Sequence, residues 1–142
     1  MNDTAAGLRP TRAIARSTRA MVASPHALAT AAGVDVLRRG GNAVDAAIAT
    51  NAVLAVVYPA SCGIGGDAFW IVHDPSRMVR HADATRTVAY NGSGRTPRAA
   101  SLDRLPGGVL PQRGALSVTV PGAVRSWEDV AREHGTRGLD EL

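Results

Sequence analysis

Cys62 and the histidines are the side chains best suited to nucleophilic or metal chemistry in this sequence. A cysteine nucleophile needs a partnered histidine to take its proton. His26, His73, His81 and His134 stand at no spacing that indicates such a pairing, so Cys62 reads as a small buried thiol. One cysteine also excludes an internal disulfide framework and a multi-cysteine zinc site. His73 and His81 flank an expected hairpin and could face each other, but two strand histidines alone read as surface polar groups. No metal and no cofactor is expected. The turn Gly63-Ile64-Gly65-Gly66 has the glycines of a phosphate cradle. It follows a helical pattern and precedes a strand pattern, the reverse of the order that aims helix N–H groups at a phosphate. It lacks the lysine of a P-loop as well, and reads as a structural turn.

The elements that would position these groups follow from periodicity and punctuation. Residues 1–18 form a polar, arginine-rich lead-in, and residues 19–142 carry the folded pattern. Met21-Val22-Ala23 reads as a short strand. Ser24 as N-cap and Pro25 at the first helical position open a helix with Leu28, Ala31, Ala32, Val34 and Leu37 near helical spacing. Gly40-Gly41 stops it. Asn42, with Asp45 three residues on, caps a second helix over 43–57 that is apolar nearly all round, the pattern of an element buried on all sides. Ala68–His73 reads as a strong strand, Met78–Ala82 as its hairpin partner, and Thr87–Tyr90 as a third run. Leu116–Val120 reads as a strand, and Pro121-Gly122 turns it into a last helix ending near His134 at Gly135. Helices, then strands, then a helix predict an α+β layering.

Composition narrows the function classes. Hydrophobic residues make up 45% of the 142, a globular level, but 26 are alanine and only Tyr58, Phe69, Trp70, Tyr90 and Trp127 are aromatic. Bulky core material is thin, so more chain or a partner is expected to complete the core. No run approaches the roughly 20 apolar residues of a membrane span. All 16 basic residues are arginine, and the net charge is +4. They are scattered and accompany no nucleic-acid motif, so neither nucleic acid nor membrane is an expected partner. Arg9, Arg12, Arg16 and Arg19 precede no apolar run, which argues against a secretory signal and predicts a cytoplasmic protein.

No single residue declares a reaction, but three ordered segments do. Met21-Val22-Ala23 with Gly40 to Ala47, then Ser61-Cys62-Gly63-Ile64-Gly65-Gly66-Asp67-Ala68-Phe69, then Val118-Thr119-Val120-Pro121-Gly122 followed by Trp127, resemble the γ-glutamyltranspeptidase family in order and spacing. The likeness covers about residues 9 to 142. It implies the amino-terminal portion of an αββα-sandwich N-terminal-nucleophile hydrolase, incomplete in this chain. It further implies a precursor that cleaves itself into large and small subunits. The new N-terminal threonine of the small subunit then attacks a glutathione-like γ-glutamyl amide, its own α-amine acting as the base. No threonine here stands in the matching Thr-Thr context, so no catalytic residue is expected in this chain. Its implied partners are the remainder of the large subunit, the small subunit with the threonine, and a small-molecule amide.

The resemblance also implies one substrate contact and one departure. The family's Asp-x-Arg-Glu-x-Ala-Pro loop supplies an arginine to the substrate α-carboxylate. Here the matching stretch is Asn91-Gly92-Ser93-Gly94-Arg95-Thr96-Pro97, which puts Ser93 at the family arginine and Gly94 at its acid. Arg95, two residues on, is the nearest guanidinium. Either Arg95 reaches the pocket through a rearranged loop, or the pocket suits an acylase-like branch with another amide. A non-catalytic orphan fragment is the remaining alternative. The opening of a further helix at Leu139–Leu142 predicts a truncated sequence.

Overall fold

Asn42 and Asp45 start the longest helix by closing both halves of a capping box. The Asn42 side chain accepts from the N–H of Val44 and Asp45, while Asp45 Oδ2 accepts from Asn42 N–H at 2.8 Å. The computed structural model describes residues 14–75 and 86–142. Helix α1 (Ala27–Arg38) and helix α2 (Ala43–Val57) pack against each other. Strands β1 (Ala68–His73) and β2 (Thr87–Gly92) form an antiparallel hairpin, and helix α3 (Ala123–His134) touches both units. Four 3₁₀ turns occur among the described residues, three between β2 and α3 and one after α3. No described helix is long and apolar enough to cross a membrane.

Helix α1 begins two residues later than Ser24-Pro25 suggests. The cap is His26, whose Nδ1 accepts from Leu28 N–H, because the Ser24 hydroxyl is already committed to the His26 carbonyl and to Thr30 Oγ1. It ends at Gly40-Gly41 as predicted, in a Schellman motif. Gly40 adopts φ +89°, and Gly41 N–H reaches back to the Val36 carbonyl at 3.0 Å. The buried stripe is Ala29, Gly33 and Val36 rather than the larger residues, and Leu28 is 60% exposed. Close approach decides this: a Cβ on Gly33 would overlap Thr50 Oγ1 of α2, so the smallest residues face the contact.

Helix α2 is not covered on all sides by the described residues. Asp45, Ala46, Ile48, Ala49, Thr50 and Leu54 are buried, whereas Ala43, Ala47 and Val56 are exposed. Met21-Val22-Ala23 forms no strand; it lies against α2 and lines an apolar groove with Leu37, Ala46 and Leu54.

In the hairpin, Trp70 stands opposite Tyr90 and Ile71 opposite Ala89. The expected partner strand Met78–Ala82, and His81 with it, lie outside the described residues; β1 pairs with the third run instead. One hairpin face meets α3 through Trp70 Nε1, which donates to Ser126 Oγ at 2.9 Å, and through Tyr90 Oη, which donates to Glu133 at 2.6 Å. The other face leaves Phe69 and Ile71 70% and 83% exposed. On its far side α3 grips α2: Trp127 Nε1 donates to Asn51 Oδ1, and Asn42 Nδ2 to the His134 carbonyl. Leu116–Val120 is not a strand. A 3₁₀ turn occupies Ala115–Ser117, and Val120 N–H bonds the loop carbonyl of Arg95, with no strand edge beside it among the described residues.

Phe69, Ile71 and Val56 are large apolar side chains left 70%, 83% and 77% exposed, surface that favours association. Sedimentation of the purified 142-residue chain is therefore expected to show self-association. A monomer with a sharp, cooperative thermal transition would contradict that expectation.

Candidate functional site

Three glycine-bearing segments cross where the hairpin meets α3. The turn of residues 61–67 delivers the Gly66 carbonyl to the N–H groups of both Gly122 and Ala123, each at 3.0 Å. This ties the start of β1 to the start of α3. The loop that leaves β2 runs through the same crossing. A Cβ on Gly94 would coincide with the Val120 carbonyl, and one on Gly122 would overlap the Gly92 carbonyl and Gly94 N. No side chain fits at position 94, so the crossing requires glycine there.

Asp67 joins the three segments through its side chain. Its Oδ1 accepts from Gly94 N–H at 3.0 Å and from Thr119 Oγ1 at 3.0 Å. The Gly94 N–H, then the Thr119 hydroxyl, and more weakly the Ser93 hydroxyl, hold the Asp67 carboxyl below the usual aspartate range against a smaller opposing effect of burial. Asn91 tightens the loop by accepting the Ser93 N–H at 3.0 Å.

Between this loop and α3 lies an open cleft of about 630 Å³, lined by Ser93, Arg95, Arg98, Pro121, Arg125 and Ser126 among others. Three arginines therefore line one cavity. Arg125 is already engaged: its hydrogen bond to Asp129, with the charges of Asp129 and Glu128, raises its pKa further. Arg95 and Arg98 form no ion pair with any described residue. Arg95 is fixed from both sides, since the preceding Gly94 N–H is held by Asp67 and its own carbonyl accepts from Val120 N–H at 3.0 Å. The cleft can thus receive a small anionic group, and a bidentate grip on a carboxylate is the natural chemistry of an arginine carried on a loop whose backbone is held.

The remaining sequence candidates are dispersed. Cys62 is partly buried and lines a separate small cavity with Asn51, Gly65 and Asp67. His26 caps α1, His73 Nδ1 bonds Thr87 Oγ1, and His134 stacks edge-on against Tyr90 with ring centroids 5.7 Å apart. Among the described residues no three or more His, Cys, Asp or Glu side chains group as they would to hold a metal. Sequence reasoning missed Asp67 as the node of the crossing. The available signal was a carboxylate directly after a Gly-Gly turn, with no neighbouring base in the sequence to pair it.

Comparison with known proteins converges on one family. A family model described as gamma-glutamyltranspeptidase matches residues 29–142. The chain is 44% identical over 127 residues to the glutathione hydrolase-like YwrD proenzyme of Bacillus subtilis, covering 88% of this chain and 23% of that protein. Its structure resembles the γ-glutamyltranspeptidase of Helicobacter pylori with a TM-score of 0.77 and 32% identity, over 91% of this chain and 36% of that one. It also resembles the cephalosporin acylase of Bacillus halodurans, with a TM-score of 0.69 and 35% identity over 92% of this chain and 25% of that one. The chain spans about a quarter of the length of the curated relative, so what it matches is an amino-terminal part.

Proposed function

The chain belongs to the γ-glutamyltranspeptidase family, and from that membership we propose that it supplies the substrate-carboxylate loop of an autoprocessing γ-glutamyltransferase or hydrolase. The fold is the α+β amino-terminal portion of an N-terminal-nucleophile hydrolase. In the proposed reaction a threonine hydroxyl outside this chain attacks the γ-carbonyl carbon of a glutathione-like amide. The C–N bond breaks, the hydroxyl proton passes through the threonine's α-amine to the leaving amine, and water or an acceptor amine then takes the acyl group. This chain's part is binding. The substrate α-carboxylate sits in the cleft beside β2 and α3, against Arg95.

The observation that supports this reading is the combination of an open cleft and, on its lining, Arg95, whose backbone is bonded on both flanks and whose side chain has no ion-pair partner among the described residues. A second reading has its own support. The likeness to a cephalosporin acylase, with Ser93 and Gly94 at the family's arginine and acid, favours an amide substrate without an α-carboxylate.

The purified 142-residue chain is expected to release no product from a γ-glutamyl anilide, since no nucleophile of the family pattern lies in it. The full-length processed protein is expected to turn that substrate over. Turnover by the chain alone, abolished by Cys62→Ala, would overturn the assignment of chemistry elsewhere. A full-length protein that hydrolyses other acyl amides and ignores γ-glutamyl ones would establish the acylase reading.

A further inference from the structure

We propose that Asp67 is a positioning residue for substrate recognition, clamping the loop so that Arg95 faces the cleft. The proposal rests on the reading that Arg95 meets the substrate carboxylate. Its basis is geometric. Asp67 belongs to the turn before β1, Gly94 to the loop after β2, and Thr119 to the approach to α3, so three segments distant in sequence converge on one carboxylate oxygen at 3.0 Å. Gly94 directly precedes Arg95, and its amide is one of two backbone links on that residue's flanks. The other is the Arg95 carbonyl itself, bonded to Val120 one residue past Thr119. Loss of the Asp67 acceptor frees one flank while leaving the Gly66 links to Gly122 and Ala123 intact. The loop then keeps its place in the fold but no longer holds the backbone of residue 95 in register. Hydrogen bonds to an ionised acceptor are the stronger kind, which is why a carboxylate suits this node better than an amide.

The test uses the full-length processed protein and two substrates: a γ-glutamyl anilide, and a 4-aminobutyryl anilide that has the same acyl chain without the α-carboxylate. Asp67→Ala is expected to raise KM for the first by about tenfold, the worth of one good hydrogen bond, with kcat within about twofold and the second substrate unaffected. Asp67→Asn keeps an oxygen acceptor for Gly94 and Thr119, and should stay within about threefold of the parent KM. Asp67→Ala combined with Arg95→Ala should be no worse than Arg95→Ala alone, because both act through one contact. Equal losses on the two substrates would mean that Asp67 only supports the fold, and would overturn the proposal. An effect of Arg95→Ala with none from Asp67→Ala would also overturn it, while leaving the Arg95 contact standing. A silent Arg95→Ala would remove the contact and the clamp together.

Discussion

Asp45→Ala is expected to lower the unfolding free energy by about 3–4 kcal/mol, the largest single loss in this segment. The Asp45 side chain is 0% exposed, and its carboxylate is nonetheless fully engaged. It accepts from Asn42 N–H at 2.8 Å, Thr136 Oγ1 at 2.6 Å, Thr136 N–H at 3.0 Å and Arg137 N–H at 3.3 Å. One group therefore starts α2 and anchors the chain that leaves α3. Alanine removes the second half of the capping box and strands the buried donors around it. Asp45→Asn keeps the shape and one acceptor, so about half that loss is expected. Denaturant midpoints of the two variants check the order. A loss below about 1 kcal/mol for alanine would mean that the donors find other partners.

The same site sets an acid limit. Burial pushes the Asp45 pKa up, but the Thr136 hydroxyl and the N–H groups of Asn42, Thr136 and Arg137 outweigh it and hold the carboxyl below its ordinary 3.8. A depressed folded-state pKa stabilises the protein at every pH above the unfolded value and stops doing so as pH falls through the folded one. Thermal stability should therefore decline below about pH 4 in the parent, and Asp45→Asn should flatten that decline.

Arg95→Ala is expected to cut kcat/KM for γ-glutamyl substrates by about 2–5 kcal/mol, as truncating one partner of a desolvated charge pair does. Arg98→Ala should change little, although both side chains border the cleft. The difference lies in the backbone. Asp67 through Gly94 N–H, and Val120 through the Arg95 carbonyl, hold residue 95 from two sides. Arg98 follows Pro97 in an exposed turn closed by Ala100 N–H on the Pro97 carbonyl, with no comparable hold on its own peptide groups. A guanidinium on a loose stem loses more entropy on gripping a carboxylate and returns less. Arg125, the third arginine on the cleft, already spends its charge on Asp129 and Glu128. Equal, small effects from Arg95→Ala and Arg98→Ala would remove the proposed contact.

Local chemistry was the part of the fold open to sequence reading. Asn42 specifies the N-cap of a helix with Asp45 favouring its positive end, to which the structure adds the reciprocal Asp45 bond of a capping box, and Gly40-Gly41 specifies a helix end by the backbone conformation it permits. Both occur as their chemistry requires. Positions set by tertiary approach were not open to it. The stripe of α1 turns on Gly33 meeting Thr50, which lies in another helix, so the larger residues misled. Leu116, Val118 and Val120 alternate like a strand, but the backbone beside them is the Arg95 loop rather than a strand edge. The site divided in the same way. Arg95 was visible through its loop motif, whereas Asp67 acquires its meaning only from Gly94 and Thr119, which are 27 and 52 residues away.

The central claim is that Arg95 reads the substrate α-carboxylate, and the ratio of kcat/KM for γ-glutamyl anilide over 4-aminobutyryl anilide tests it most directly. In the parent full-length enzyme that ratio should strongly favour the γ-glutamyl substrate. In Arg95→Ala it should fall by at least about thirtyfold, the equivalent of 2 kcal/mol, through loss on the γ-glutamyl substrate alone. A ratio that Arg95→Ala leaves unchanged, whether both substrates lose equally or neither loses, would contradict the account.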